Sequence, residues 1–93
     1  EKALAYQGKI IETMKQIGET ERQLQDVTVD HTRVRENLKI VPPSSEHYKT
    51  FLEKFVAQDK QIESFQQQIR TLTATLQAHQ REYDQWLAKL DAE

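Results

Sequence analysis

Apolar residues in the second half of the chain recur with a period of seven. One series occupies every seventh position without a gap, and a second lies three residues after each of its first six members. The first series comprises Tyr48, Phe55, Ile62, Ile69, Leu76, Tyr83 and Leu90. The second comprises Phe51, Gln58, Phe65, Leu72, His79 and Trp86. This a/d heptad pattern predicts a long helix over about 46–91 that packs its stripe against a partner helix.

The first half carries a weaker stripe with the same period, which supplies that partner. Its a positions are Ala3, Ile10, Ile17, Leu24, His31 and Leu38, and its d positions are Tyr6, Thr13, Thr20, Val27, Val34 and Val41. We therefore predict a first helix over about 2–40. Segment 26–34 is rich in β-branched residues, so a local strand is the alternative there. The unbroken heptad phase favours the helix.

Two adjacent prolines, Pro42 and Pro43, separate the two stripes. A proline inside a helix removes a hydrogen bond and clashes with the preceding turn, so the first helix must end before them. Ser44 or Ser45 can then cap the second helix. A binding segment for a proline-reading domain is the alternative, but that mode needs a PxxP repeat held open. We predict a turn over 41–45.

The heptads and the turn predict the same pairing of the two helices. In an antiparallel pair, a positions face d positions, so the numbers of facing residues have a constant sum. Leu24 with Phe65 and Val34 with Phe55 both give a sum of 89, and half of that sum falls between 44 and 45. The predicted fold is all-α, with two long helices in an antiparallel coiled-coil hairpin that a second copy could complete as a four-helix bundle.

The histidines raise the question of a metal site. His31, His47 and His79 lie far apart on the predicted hairpin, and none has a ligand at the spacing of E-x-x-H or H-E-x-x-H. The pairing sum sets His31 opposite Gln58, and Asp30 is the alternative partner of His31. We interpret His31 and Gln58 as a polar layer that specifies register, and we expect neither a metal nor a cofactor.

Several apolar residues lie off the main stripes. Most of them gather at the predicted open end of the hairpin, away from the turn, and Ile40, Leu52 and Val56 form a smaller group beside the turn. The candidate partner contacts at the open end are the off-stripe residues Leu4, Ile11, Met14 and Leu87, together with the stripe residues Trp86 and Leu90. Grouped apolar residues on a surface often mark a contact. Leu90 has no facing residue, so we expect the chain to be part of a longer protein.

Composition narrows the classes of function. Hydrophobic residues make up 37% of the 93 residues and charged residues 30%, which fits a narrow apolar seam better than a compact core. The net charge of −2 argues against nucleic acid as a partner. No apolar run approaches the length that spans a membrane. The absence of cysteine leaves the compartment open.

Two stretches resemble a known family. RVRENLK at 33–39 and YKTFLEKFVAQDKQIE at 48–63 are similar to the C-terminal helical hairpin of large uncharacterised bacterial proteins, a domain of unknown function sometimes labelled mucoidy-inhibitor-like. In that family an R-x-R-E-N-L-like helix end precedes a short polar loop and a Y-x-x-[FY]-L-x-K-F-like helix start. The resemblance covers roughly 26–90. It implies an all-helical segment of a bacterial protein and carries no catalytic residues.

These observations predict a function without catalysis. The first expectation is a structural coiled-coil arm or spacer of a larger bacterial protein whose role is unassigned. The alternative is a protein-interaction or oligomerisation module that forms a helical bundle. The expected partner is another protein or a second copy of the chain, most simply as a homodimer. We expect no small-molecule substrate and no insertion into a membrane.

Overall fold

The computed structural model describes residues 1–92, which form two helices, α1 (Lys2–Ile40) and α2 (Glu46–Ala92). These 92 residues contain no strand, so segment 26–34 is helical despite its β-branched residues. Inside it, the Thr32 hydroxyl donates to the backbone carbonyl of Thr28 at 3.1 Å, which satisfies a polar side chain within the helix. The all-α hairpin predicted from the heptads is confirmed.

Residues 41–45 connect the helices as a tight turn. The Ser45 N–H donates to the Pro42 carbonyl at 3.0 Å, which closes a four-residue turn with Pro43 at its second position. The fixed φ of proline suits that position, and no described residue has a positive φ, in agreement with a type I turn. The Tyr48 N–H donates to Ser45 Oγ at 3.1 Å, so Ser45 is the N-cap of α2. The prolines therefore end α1, and the serine starts α2.

The described chain forms two compact units, each built from one segment of each helix. The turn unit comprises residues 21–67, and the open-end unit comprises residues 1–20 together with 68–92. In both units the seam predicted from the heptads lies between the helices. Every predicted a and d position except Leu90 is half-buried or buried, whereas Leu90 is 49% exposed.

Few side chains are fully enclosed, because two helices cover only one stripe of each other. Among residues 1–92, Val34 in the turn unit is the one buried apolar residue, with 0% exposure. In the open-end unit, Thr13 and Thr20 are buried instead. Their hydroxyls donate to the carbonyl four residues earlier, at 2.8 and 2.9 Å. This bonding allows a threonine to occupy the seam without leaving its hydroxyl unpaired.

Candidate functional site

Asp30 is the centre of a polar cluster beside the seam of the turn unit. On its own helix, Arg33 Nε donates to Asp30 Oδ1 at 2.8 Å. From α2, Lys54 Nζ lies 3.1 Å from Oδ2, and Gln58 Nε2 donates to the same oxygen at 2.6 Å. A single carboxylate therefore links the two helices at one level.

His31 lies next to this cluster, and its partners differ from those expected. Its ring stacks on Phe55, with the centroids 4.0 Å apart and an interplanar angle of 16°. Its Nε2 lies 3.0 Å from Asp59 Oδ1, an ion-pair distance, but the oxygen is off the direction that a ring N–H hydrogen bond requires. His31 and Gln58 therefore have separate partners. His31 on α1 approaches Asp59 on α2, and Gln58 on α2 donates to Asp30 on α1.

The heptad pattern alone does not select Asp30, because this residue occupies a g position outside the a/d seam. Lys54 also occupies a g position, and in an antiparallel pair the g positions of the two helices flank the same side of the seam. Opposite charges at these two positions were therefore the available sequence signal. Asp59 occupies an e position directly after the seam residue Gln58. An acidic residue beside the level of His31 was the sequence signal for the contact between His31 and Asp59.

The contacts of Asp30 change its acidity. The Arg33 hydrogen bond has the largest effect, followed by those of Lys54 and Gln58, and together they lower the pKa of Asp30 from 3.8 to about 2. Each of these donors stabilises the charged carboxylate relative to the neutral acid. Since the unfolded chain lacks these contacts, the ionised form of Asp30 stabilises the folded state.

We expect the stability of the folded chain to fall at acid pH because Asp30 becomes protonated. Because the pKa is lower in the folded chain, the stabilisation is complete above about pH 4 and is lost as the pH falls from about 4 to about 2. Asp30→Asn should lower the melting temperature at pH 7 and flatten its decline in that window, as measured by circular dichroism between pH 2 and pH 7. Asp26→Asn, at an exposed position of the same helix, is the control and should follow the wild-type profile. An Asp30→Asn profile parallel to wild type would contradict this assignment.

Gln58 is buried, with 4% exposure, and only part of its amide is satisfied. Its Nε2 donates to Asp30, but its Oε1 has no hydrogen-bond partner among the described residues. A buried acceptor without a partner costs about 1–3 kcal/mol. The residue therefore contributes more to the specificity of the layer than to stability.

Gln58→Leu should raise the free energy of unfolding by about 1 kcal/mol in urea denaturation. The change removes the buried acceptor, and Asp30 keeps its contacts with Arg33 and Lys54. Gln66→Leu, at an exposed position of the same helix, is the control and should change stability by less than about 0.5 kcal/mol. A destabilised Gln58→Leu variant would show that the bond to Asp30 outweighs the buried oxygen.

Three aromatic rings pack together in the open-end unit. Tyr6 on α1 lies 5.9 Å from Tyr83 and 5.6 Å from Trp86, measured between ring centroids. Tyr83 and Trp86 are stacked with centroids 6.2 Å apart. Gln7 Nε2 donates to the Tyr83 hydroxyl at 3.0 Å. Tyr6 and Tyr83 obey the pairing sum of 89, whereas Trp86, expected opposite Ala3 and among the partner contacts, is half-buried against Tyr6.

The other predicted partner contacts of the open-end unit are solvent-exposed. Leu4 is 68% exposed, Ile11 66% and Met14 54% on α1, while Leu87 and Leu90 on α2 are 39% and 49% exposed. The smaller group beside the turn is also exposed, and it comprises Ile40, Leu52 and Val56. These side chains are available for contact with another molecule.

The remaining chemistry of the described chain is limited. His79, at its predicted seam position, has Nδ1 3.9 Å from Glu82 Oε2. Within residues 1–92, no three or more histidine or carboxylate side chains come together as potential metal ligands. Neither α1 nor α2 combines the length and apolar character of a membrane span. A surface cavity of about 350 Å³ lies in the open-end unit, lined by Lys2, Tyr6, Glu82, Gln85, Trp86 and Lys89.

Comparisons with known proteins do not add a functional residue to this description. A search of protein-family profiles, curated proteins and solved structures found no match to the chain. The resemblance of 33–39 and 48–63 to a bacterial helical hairpin therefore stays a prediction from those residues. What this chain does has to be argued from its own surfaces.

Proposed function

We propose that this chain is a non-enzymatic coiled-coil arm or spacer of a larger bacterial protein. The observation that carries the proposal is the burial pattern: the seam positions from Ala3 to Val41 and from Tyr48 to Trp86 are half-buried or buried, and most other positions are exposed. Both helices thus use their apolar stripes to pair with each other. Repeated layers of this kind maintain a length and a direction without a defined active site.

The cavity in the open-end unit is consistent with this proposal. Covalent catalysis requires a nucleophile activated by a neighbouring base. The groups in this cavity that could serve as one are Tyr6, Glu82 and two lysines, and the Tyr6 ring packs on Tyr83 and Trp86. Its two lysines and Glu82 are the side chains of a solvated helix surface, and Tyr6 and Trp86 belong to the seam. The cavity is therefore better explained as the flank of the aromatic cluster than as a catalytic pocket.

A matched deletion tests the spacer role. Removing residues 14–20 and 69–75 takes one heptad from each helix and preserves the pairing of all remaining layers, because both segments obey the sum of 89. A spacer should tolerate this change, with a cooperative thermal transition and unchanged helicity per residue by circular dichroism. Removing 14–15 alone is the control and should lower the melting temperature, since a loss of two residues turns the stripe of residues 3–13 by about 200° away from α2. A matched deletion that fails to fold would contradict a spacer of interchangeable repeats.

The exposed apolar residues favour a second candidate, an oligomerisation module. Five of the nine large hydrophobic residues that are exposed in the described chain belong to the open-end unit. In a pair of helices, each layer of the seam stays partly exposed to solvent. A second hairpin would bury apolar surface that this fold exposes. Sedimentation equilibrium tests this role, because a concentration-independent monomer would contradict oligomerisation and leave the spacer role intact.

A further inference from the structure

The first half of α1 has an apolar face that points away from the seam. It consists of Leu4, Gly8, Ile11, Met14 and Gly18, which we call the outer face of α1. At 100° per residue, these positions fall within an arc of about 120° whose centre lies well away from the seam stripe. Two polar residues lie in the same arc, Lys15 and Gln7, whose amide donates to the Tyr83 hydroxyl. Their spacing places Leu4, Ile11 and Gly18 in line along the helix, with Gly8 on one flank and Met14 on the other.

The two glycines make this face unusual. A Cβ atom added at Gly8 or Gly18 would meet nothing within 4 Å, so neither glycine is required by packing within the hairpin. Neither has a positive φ, and glycine is a poor helix former compared with alanine. The hairpin alone therefore gains nothing from glycine at these positions. Small residues on an exposed helix face do allow the backbone or a side chain of another helix to approach closely.

We infer that the outer face of α1 binds the outer face of a second copy of this chain, with the two α1 helices antiparallel and related by a twofold axis near Ile11. This inference rests on the oligomerisation role. Around that axis the numbers of facing residues add to 22, so Ile11 meets Ile11 of the second copy. Leu4 then faces Gly18 of the second copy, and the symmetry repeats this contact at the other end.

Size and charge favour the antiparallel arrangement over a parallel one. A parallel pair would place Leu4 beside Leu4 and leave a gap between the two Gly18 positions. In the antiparallel pair, the side chain of Leu4 fills the space beside Gly18 of the other copy. Lys15 also lies in the arc, and a parallel pair would bring two lysines to the same level. In the antiparallel pair, Lys15 lies over Gly8 of the second copy, and its ammonium can extend towards Glu12 of that copy.

The area of the face indicates a weak dimer. Leu4, Ile11 and Met14 are each more than half exposed, and together they offer roughly 600–800 Å² of apolar surface across two copies, below the 1,200–2,000 Å² of a standard interface. We therefore expect a weak, reversible dimer rather than an obligate one. The exposed positions of Leu87 and Leu90 are not needed for this contact.

Sedimentation equilibrium up to about 1 mM tests the interface. Ile11→Gln should weaken the dimer about tenfold or more, because it places a polar group on the twofold axis. Val29→Gln is the matched control, since Val29 is 65% exposed on the same helix but outside the face, and its dimer constant should equal that of wild type. Gly18→Ala should raise the melting temperature of the dilute monomer and weaken the dimer, because the new methyl group stabilises the helix but obstructs Leu4 of the second copy.

Disulfide formation tests the orientation, since the natural chain has no cysteine. An equimolar mixture of Leu4→Cys and Gly18→Cys chains should form the mixed disulfide in preference to either homodimer under mild oxidation. A predominance of Leu4→Cys homodimers would overturn the antiparallel arrangement. A dimer constant unchanged in both Ile11→Gln and Gly18→Ala would overturn the interface and leave oligomerisation standing, whereas a wild-type monomer at all concentrations would contradict both.

Discussion

Replacing Val34 by alanine should lower the free energy of unfolding by about 2 kcal/mol. Val34 is wholly buried in the turn unit, and the pairing rule sets Phe55 opposite it. The Phe55 ring is itself held against the His31 ring, with centroids 4.0 Å apart, so it cannot move into the space left by two methyl groups without losing that contact. The lost contacts and the remaining cavity both add to the cost. A small hairpin with little enclosed core has few other sources of stability.

Val29→Ala is the matched control for this prediction. It is the same substitution on the same helix five residues earlier, at a side chain that is 65% exposed. Alanine is a better helix former than valine, so this variant should be as stable as wild type or more stable by a few tenths of a kcal/mol. Urea denaturation followed by circular dichroism measures both. If Val34→Ala and Val29→Ala changed the free energy of unfolding equally, Val34 would not be buried in the seam.

The helices and their seam could be predicted because both depend on local, periodic chemistry. A period of seven in apolar residues selects one face of a helix, and two prolines end α1 at a position that the pairing sum requires independently. The pattern also passed correctly through Val27 and Val29, whose weak helix propensity is overridden by the continuity of the heptads. Leu90, with no facing residue in the sequence, is the seam position that stays exposed.

The partners of the polar side chains could not be predicted in the same way. A heptad position specifies which face a residue lies on, but not which of the neighbouring side chains on the opposite helix a polar group bonds to. His31 therefore approaches Asp59 instead of Gln58, and Gln58 donates to Asp30. The contact of the Trp86 ring with Tyr6 is likewise not specified by the heptad positions.

The function is harder to predict from the sequence pattern than either the fold or the polar contacts. A coiled-coil seam is compatible with many roles, and the heptad pattern does not select among them. What distinguishes this hairpin is on its outside, where Leu4 and Ile11 are exposed in the same arc as two glycines that the hairpin itself does not require. The sequence already places Leu4 and Ile11 off the main stripe, whereas the finding that neither glycine is needed within the hairpin comes from the structure.

Trp86→Ala should also lower the free energy of unfolding by about 2 kcal/mol, because it removes the largest ring of the aromatic cluster from its contacts with Tyr6 and Tyr83. Full burial would raise this cost, but the ring is only half-buried. Leu87→Ala, at the adjacent and more exposed position, is the control and should cost less than about 1 kcal/mol. Thermal and urea denaturation provide the measurements.

A double-mutant cycle separates the contact between the rings from simple burial. Tyr6→Ala, Trp86→Ala and the double variant should give a coupling energy of about 1 kcal/mol, as expected for aromatic rings whose centroids lie 5.6 Å apart. Trp86 is the one tryptophan of the chain, so its fluorescence in Tyr6→Ala reports the same contact directly. Its emission should shift to longer wavelength as water replaces the tyrosine ring. A coupling near zero with unshifted emission would mean that Trp86 is held by the helix surface alone, and that the two helices are not joined by this cluster.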